Sequence, residues 1–142
     1  MSFRVLRAED AFWRPSNSTK VPNTDLARQL GSSVFGARLW RLAPGQMITW
    51  HRHVETTELY VVLEGTGRMR IGEERLTLAP LSAVEVDART LRQVFNDTSR
   101  DALWLVVGAP LEPANTLEMT PETKADLYPD GLQARPPELE GR

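Results

Sequence analysis

Between residues 34 and 108 the chain is a series of short β-like runs separated by turn residues, with no helical stretch between them. The breaks are rich in Gly, Pro, Asn and Asp, and they fall at 43–45, 64–67, 72–73, 79–80 and 96–99. The predicted strands are 34–42, 46–53, 58–63, 68–71, 74–78, 83–86, 91–95 and 102–107. Eight short strands without an intervening helix predict an all-β fold, an antiparallel sandwich or barrel.

The segments on either side of these strands differ from them in composition and are interpreted as extensions of one domain, since 142 residues suit a single core. Residues 1–33 predict one short helix, with Asn23 or Thr24 as its cap and Gly31 beyond its end. Residues 109–142 are rich in proline and predict a second short helix that begins near Pro121 and ends before Pro129. The composition of the last residues also permits disorder.

Charge and cysteine content narrow the classes of function. The chain has 17 basic and 19 acidic residues, so it offers no broad positive surface, and we expect neither a nucleic acid nor a membrane as partner. No stretch resembles a secretory signal or a membrane span, which makes a cytoplasmic location the expectation. Because the chain has no cysteine, any metal ligands must be nitrogen or oxygen atoms.

The two histidines of the chain, His51 and His53, are two positions apart. Residues at i and i+2 of a strand point to the same face, so two imidazoles with this spacing can converge on one metal ion. Glu58 follows in the next predicted strand and can supply a carboxylate. Glu55 could compete as a ligand, but it falls in the predicted hairpin bend.

The spacing Gly45-x5-His51-x-His53-x4-Glu58-x6-Gly65 resembles the first conserved motif of the cupin superfamily, with every position filled. This resemblance implies a double-stranded β-helix, or jelly roll, over residues 34–108. It also implies that His51, His53 and Glu58 hold a divalent metal (Zn, Fe, Mn, Ni or Cu) at the bottom of a small-molecule pocket. Two histidines and one carboxylate would leave coordination positions open for water, O₂ or a substrate.

The second cupin motif is degraded in this sequence. If it is aligned on Asn96, Arg92 occupies the position of the histidine that usually serves as the fourth ligand. A guanidinium about 4 Å from a divalent ion would be repelled by about 8 kcal/mol at an effective dielectric constant near 20. Arg92 therefore has three alternatives: an ion pair with Glu58, contact with an anionic substrate, or exposure on the solvent face.

Alternation of side chains along the strands predicts the wall of the pocket. The faces that carry the metal ligands and Arg92 should also carry Met47, Thr49, Tyr60, Val62, Val94 and Asn96. Tyr60 could donate a proton or a hydrogen bond to a substrate, and Arg92 could bind a substrate directly. The alternative for Tyr60 is a core aromatic ring with its hydroxyl on a backbone carbonyl.

Three functions are consistent with these patterns, of which one is a structural or interaction protein that uses the barrel chiefly to dimerise, and the other two bind a small molecule. The first is a metal-dependent cupin enzyme that carries out oxygenase, isomerase or lyase chemistry on a small organic molecule. The second is a metal-free cupin that binds a small molecule or anion without turnover. In both cases the expected partner is a small molecule, which Arg92 would allow to be anionic, and the resemblance implies a homodimer.

Overall fold

A computed structural model describes residues 2–141 and arranges them as nine strands, two short helices and two 3₁₀ turns. The strands are β1 (Arg14–Pro15), β2 (Pro22–Asp25), β3 (Gly36–Leu42), β4 (Thr57–Glu64), β5 (Gly67–Ile71), β6 (Glu74–Leu78), β7 (Ala83–Val86), β8 (Arg92–Phe95) and β9 (Ala102–Ala109). They form one sheet in the order β1-β2-β3-β9-β4-β7 and a second in the order β6-β5-β8, and all pairs are antiparallel. The predicted all-β fold is confirmed.

Seven of the eight predicted strands are present, with ends that differ by at most two residues. The exception is 46–53, which meets β8 only through isolated bridges at Met47 and His51. The strands β1 and β2 were not predicted, because Pro15, Pro22 and Asn23 disfavour a strand locally. Their pairing depends on the edge of β3, where Asn23 lies opposite Trp40.

A one-residue bulge interrupts the pairing of residues 46–51 with β8. The amide of Ile48 donates to the carbonyl of Val94 at 3.0 Å, whereas His51 and Arg92 exchange two hydrogen bonds of 3.0 and 2.9 Å. Thr49 and Trp50 therefore lie opposite the single residue Gln93. The bulge lets Ile48 pack in the core while His51, three positions later, lines the cavity described below.

The core lies between the sheets and is centred on the buried Trp104, whose ring makes an edge contact with Tyr60 at 6.3 Å. The interior face of β4 runs from this core into a cavity through Val62, Tyr60 and Glu58 in turn. Gly65, at the end of β4, has a positive φ of 76°, and a Cβ there would collide with the carbonyl oxygen of Asp101. This motif glycine is therefore required by the turn itself.

Helix α1 (Leu26–Gln29) is a single turn, and Asp25 caps it by accepting a hydrogen bond from the amide of Arg28 at 2.9 Å. The predicted caps, Asn23 and Thr24, lie in β2 instead. Helix α2 (Pro121–Leu127) begins after Thr120, whose hydroxyl accepts from the amide of Thr123 at 3.2 Å.

The final residues pack against the outside of the barrel. A 3₁₀ turn at Pro137–Leu139 brings Leu139 into a fully buried contact with Met47 and Phe95. The ion pair between Glu138 and Arg68, with an Oε2–Nη2 distance of 3.2 Å, holds the same turn. The segment for which composition permitted disorder is thus ordered through Leu139. Within residues 2–141, no helix is both long and apolar enough to cross a membrane.

Candidate functional site

A cavity of about 860 Å³ opens on one side of the barrel. One end is lined by both histidines and by Glu58, together with Thr49 and Tyr60. The opposite wall is formed by residues of the N-terminal extension, of β2 and of β3, and includes the guanidinium of Arg38. The segment after β9 completes the rim. The cavity is therefore built by the barrel and by both extensions.

The three predicted ligands converge at the inner end of this cavity. One donor atom from each of His51, His53 and Glu58 lies within 4.8 Å of the other two. The Nε2 atoms of the two histidines are 3.7 and 3.0 Å from Glu58 Oε1. His53 Nε2 is buried and, despite that short distance, makes no aligned hydrogen bond within the described part of the chain. An orphaned imidazole nitrogen beside a carboxylate is the arrangement that a metal ion would satisfy.

Contacts at Nδ1 hold the orientation of both imidazole rings, a hydrogen bond for His51 and a close carboxylate for His53. His51 Nδ1 lies 2.9 Å from the carbonyl oxygen of Thr49, and His53 Nδ1 lies 3.3 Å from Glu112 Oε1. Both neighbours are acceptors, so each ring can donate through Nδ1. Each Nε2 atom then faces Glu58. These outer contacts are typical of histidines that ligate metals.

Glu112 was not predicted as a site residue, although it is central to the geometry. Its carboxylate accepts hydrogen bonds from the amides of Val54 and Thr56, at 3.1 and 2.9 Å, in addition to its contact with His53. Burial alone would raise the pKa of Glu112, but the hydrogen bonds from Thr56 and Val54 hold that pKa below its usual value. Glu112 therefore remains a carboxylate that supports His53.

Tyr60 is committed to Glu58 and is not a free proton donor. Its hydroxyl donates to Glu58 Oε1 at 2.6 Å, and its side chain is fully buried. Burial and the charge of Glu58 raise the pKa of Tyr60 well above its usual value. Burial would also raise the pKa of Glu58, yet His51 and His53 hold it well below the usual value. Neither predicted role for Tyr60 is observed, because its partner is the carboxylate and not a substrate or a backbone carbonyl.

Arg92 is completely buried, so its predicted alternative of solvent exposure is wrong. Its Nη2 donates to the carbonyl of Asp87 at 2.6 Å, and its Nε lies 3.9 Å from Glu58 Oε1. Nε and Nη1 have no hydrogen-bond partner among residues 2–141. Arg92 also does not line the cavity, which rules against direct contact with a substrate. The remaining alternative, a long ion pair with Glu58, is the one that the structure contains.

The other predicted wall residues divide into two groups. Thr49 lines the cavity, whereas Met47, Val62, Val94 and Asn96 do not. Val62 and Val94 lie deeper, in the core, and the bulge places Met47 outside the barrel against Phe95. Strict alternation could not predict the position of Met47, because one additional residue in the strand reverses the faces on either side of it, and it gives no depth for Val62 and Val94.

Asn96 has a structural role in place of the predicted position in the pocket wall. Its side-chain amide donates to the carbonyls of Leu42 and Arg100 at 2.9 and 2.7 Å, and its Oδ1 accepts from the amide and hydroxyl of Thr98 at 3.0 and 2.6 Å. These bonds close the turn between β8 and β9.

Asn96→Ala should therefore lower the free energy of unfolding by about 3 kcal/mol, because it leaves buried backbone groups without partners. Chemical denaturation would measure the loss. Thr98→Ala, which removes only the partner hydroxyl, serves as the control and should cost less. A change in ligand or metal binding with unaltered stability would contradict this assignment.

Tyr128 was also not predicted as a site residue, although its ring covers that of His51. Its ring stacks on that of His51, with a centroid distance of 6.1 Å and an interplanar angle of 29°. Burial, together with the nearby Glu58 and Glu112, raises the pKa of Tyr128 to about 12. The phenol is therefore protonated at neutral pH and faces the cavity.

Comparison with known families agrees with this architecture. The family model described as Cupin domain matches residues 38–108, half of the chain. The chain belongs to the cupin family. Glu112 and Tyr128 lie beyond the matched residues, so part of the site of this cupin comes from outside its conserved barrel. No curated protein sequence matches the chain.

Solved structures show the same fold. A sugar phosphate isomerase of the cupin superfamily from Silicibacter pomeroyi is 24% identical, with a TM-score of 0.67 over 75% of this chain and 76% of its own. A protein from Thermus thermophilus is 30% identical, with a TM-score of 0.63 over 76% and 98% of the two chains. A predicted oxalate decarboxylase from Thermotoga maritima is 20% identical, with a TM-score of 0.66 over 75% and 99%. The cupin fold is thus shared with proteins that have different descriptions.

Proposed function

We propose that this cupin binds a divalent metal ion through His51, His53 and Glu58 and acts on a small organic molecule that enters the adjacent cavity. The observation that carries the proposal is the convergence of three donor atoms around the buried, unpaired His53 Nε2. A divalent ion held there would supply Lewis acidity, or a site for O₂ if the metal is redox-active. The reactions consistent with such a site are isomerisation, elimination and oxygenation.

The surrounding residues prepare the ligands for this role. Thr49 and Glu112 hold the two imidazoles with Nε2 free, and the hydroxyl of Tyr60 orients the carboxylate of Glu58. Because Glu58 stays ionised, its charge balances part of the charge of a bound cation. The donor set contains only nitrogen and oxygen, which suits Zn, Fe, Mn, Ni and Cu.

The far wall of the cavity favours a substrate with an anionic group. Arg14, Arg28 and Arg38 are among the residues that line the cavity, as is Asp25. Asp25 pairs with Arg38 at 3.1 Å and neutralises one of the three positive charges. Arginine can bind an anion such as a carboxylate or phosphate in a bidentate manner, so Arg14 and Arg28 are the groups proposed to bind one.

A metal-free function is the second candidate, and the position of Arg92 favours it. The buried guanidinium already lies 3.9 Å from Glu58 Oε1 and supplies a positive charge near the carboxylate. In this alternative the histidines and Glu58 form a polar network and the cavity binds an anion without turnover. The two candidates differ in whether the site takes up metal.

Loading the purified protein with Co²⁺ would test the proposed function. Co²⁺ is a spectroscopic substitute for the other divalent ions, and its visible spectrum depends on its ligands. We expect one bound Co²⁺ and a further spectral change on addition of acetohydroxamate, because two histidines and one carboxylate leave coordination positions open. Absence of Co²⁺ binding would favour the metal-free alternative. Co²⁺ binding without a response to acetohydroxamate would indicate a closed, non-catalytic site.

Glu112→Gln should weaken metal binding by about 10- to 100-fold, the effect typical of altering an outer-sphere partner of a histidine ligand. The amides of Val54 and Thr56 donate to different oxygens of Glu112, so the single amide oxygen of glutamine can keep one of these hydrogen bonds, and the negative charge beside His53 Nδ1 is lost. Isothermal titration with Zn²⁺ would measure the change. Glu118→Gln, at an exposed position farther along the same extension, is the matched control and should leave the affinity unchanged. Equal affinities in the two variants would contradict a supporting role for Glu112.

A further inference from the structure

The C-terminal extension clamps the segment that carries the two histidines. The amide of Arg52 donates to the carbonyl of Leu127 at 3.0 Å, and Arg52 Nε donates to the carbonyl of Asp126 at 2.8 Å. The indole of Trp50 donates to Asp130 at 3.0 Å. These contacts bind the end of α2 directly to residues 50–52, on both sides of His51.

Arg89 joins the same attachment from the loop before β8. Its guanidinium donates to Asp126 Oδ1 at 2.7 Å and to the carbonyl oxygen of His53 at 2.9 Å. The end of α2, the histidine segment and the loop before β8 are therefore tied together by charge-assisted hydrogen bonds. Tyr128 follows α2 immediately, so its position relative to the histidines is set by this clamp.

The two tyrosines of the chain differ in what their hydroxyls can do. The hydroxyl of Tyr60 donates to Glu58 and is already used. The hydroxyl of Tyr128 has no hydrogen-bond partner among residues 2–141, and its side chain lines the cavity while its ring stacks on His51. The Tyr128 phenol is held beside His51, and its O–H has no acceptor in this part of the chain. It can therefore donate a hydrogen bond to an oxygen atom of an incoming molecule.

We propose that Tyr128 recognises the substrate by donating a hydrogen bond to an oxygen atom of the molecule bound beside His51. This inference rests on the proposed metal-dependent function and extends it. It assigns a specificity-determining contact to the C-terminal extension, outside the residues that match the cupin family. The ligand class is a small molecule with a carbonyl, hydroxyl or carboxylate oxygen at the metal-binding end.

The test compares Tyr128→Phe with the wild type in the Co²⁺-loaded protein, with acetohydroxamate as the oxygen-bearing probe. Phenylalanine keeps the stacked ring and removes only the hydroxyl. We expect Co²⁺ affinity to stay within about twofold of the wild type, whereas the probe should bind about tenfold more weakly, the usual effect of losing one hydrogen bond. Tyr128→Leu, which also removes the ring, should lose at least as much probe affinity.

Two results would overturn the inference. If Tyr128→Phe binds the probe as tightly as the wild type, the hydroxyl does not contact the ligand. If Co²⁺ affinity falls by the same factor as probe affinity, the hydroxyl supports the metal site and not the ligand. Failure of the wild type to bind Co²⁺ would instead overturn the proposed function and this extension together, so the wild-type titration separates the two failures.

Discussion

Replacing either His51 or His53 with alanine should abolish binding of a divalent metal while the barrel remains folded. Each substitution leaves two of the three converging donors, and an outer-sphere change alone typically costs 10- to 100-fold, so we expect a loss of more than about 100-fold. The core around Trp104 is separate from the histidines, and the melting temperature should change by no more than about 5 °C.

Titration with Zn²⁺, followed by calorimetry, would measure this effect. Glu55→Gln is the matched control, because Glu55 is the acidic residue that sequence alone left as a competing ligand. In the structure it is exposed and outside the converging group. The control should bind metal as the wild type does. Retained affinity in both histidine variants, or loss of affinity in the control, would contradict the assigned ligands.

Arg92→His should strengthen metal binding by at least about 100-fold and lower thermal stability. The substitution removes a buried positive charge whose Nε lies 3.9 Å from Glu58 Oε1, and it places an imidazole at the position where cupins usually have a fourth ligand. It also removes the donor that the carbonyls of Val86 and Asp87 now share, at 3.4 and 2.6 Å. Unpaired buried carbonyls should cost about 1 to 3 kcal/mol of stability.

Arg92→Met separates the two contributions to the expected gain in metal affinity, which are the loss of the positive charge and the addition of a ligand. Methionine removes the charge without adding a ligand, so it should improve Zn²⁺ affinity less than histidine does. If both variants improve affinity equally, repulsion by the guanidinium is the whole effect. If neither variant improves Zn²⁺ affinity, Glu58 and the neighbouring carbonyls neutralise Arg92 too well for its charge to weaken cation binding. The predicted repulsion between Arg92 and the metal would then be wrong.

The barrel and the convergence of the three candidate ligands were predictable from sequence because each depends on local patterns. Short alternating runs with turn residues between them located seven strands, and the spacing from His51 to Glu58 placed the donors on facing segments. These features need no knowledge of distant contacts. The strands β1 and β2 lack such a pattern and form only because the edge of β3 is available to them.

The error at Met47 in the predicted pocket wall has a geometric origin. Alternation assumes a regular strand, but the bulge at Thr49 and Trp50 shifts the register between Ile48 and His51. Met47 therefore faces outward, although His51 points into the cavity as expected. A bulge of this kind leaves no composition signal in these residues.

Glu112 and Tyr128 could not be predicted as site residues because no motif in their sequence neighbourhood indicates a contact with the histidines. They lie 59 and 77 positions beyond His53 and His51, in an extension that reads as proline-rich and irregular. Their roles come from the clamp between α2 and residues 50–53, which is a tertiary contact. In this protein the extension that appeared least informative supplies a carboxylate that contacts His53 and a ring that stacks on His51.

Metal content of the untagged protein, measured by plasma mass spectrometry after purification without chelators, tests the central claim most directly. We expect about one equivalent of zinc, iron, manganese, nickel or copper in the wild type and in Glu55→Gln, and none in His53→Ala. A wild-type protein that contains no metal, and that takes up none on incubation with each of these ions, would contradict the account and favour the metal-free anion-binding cupin.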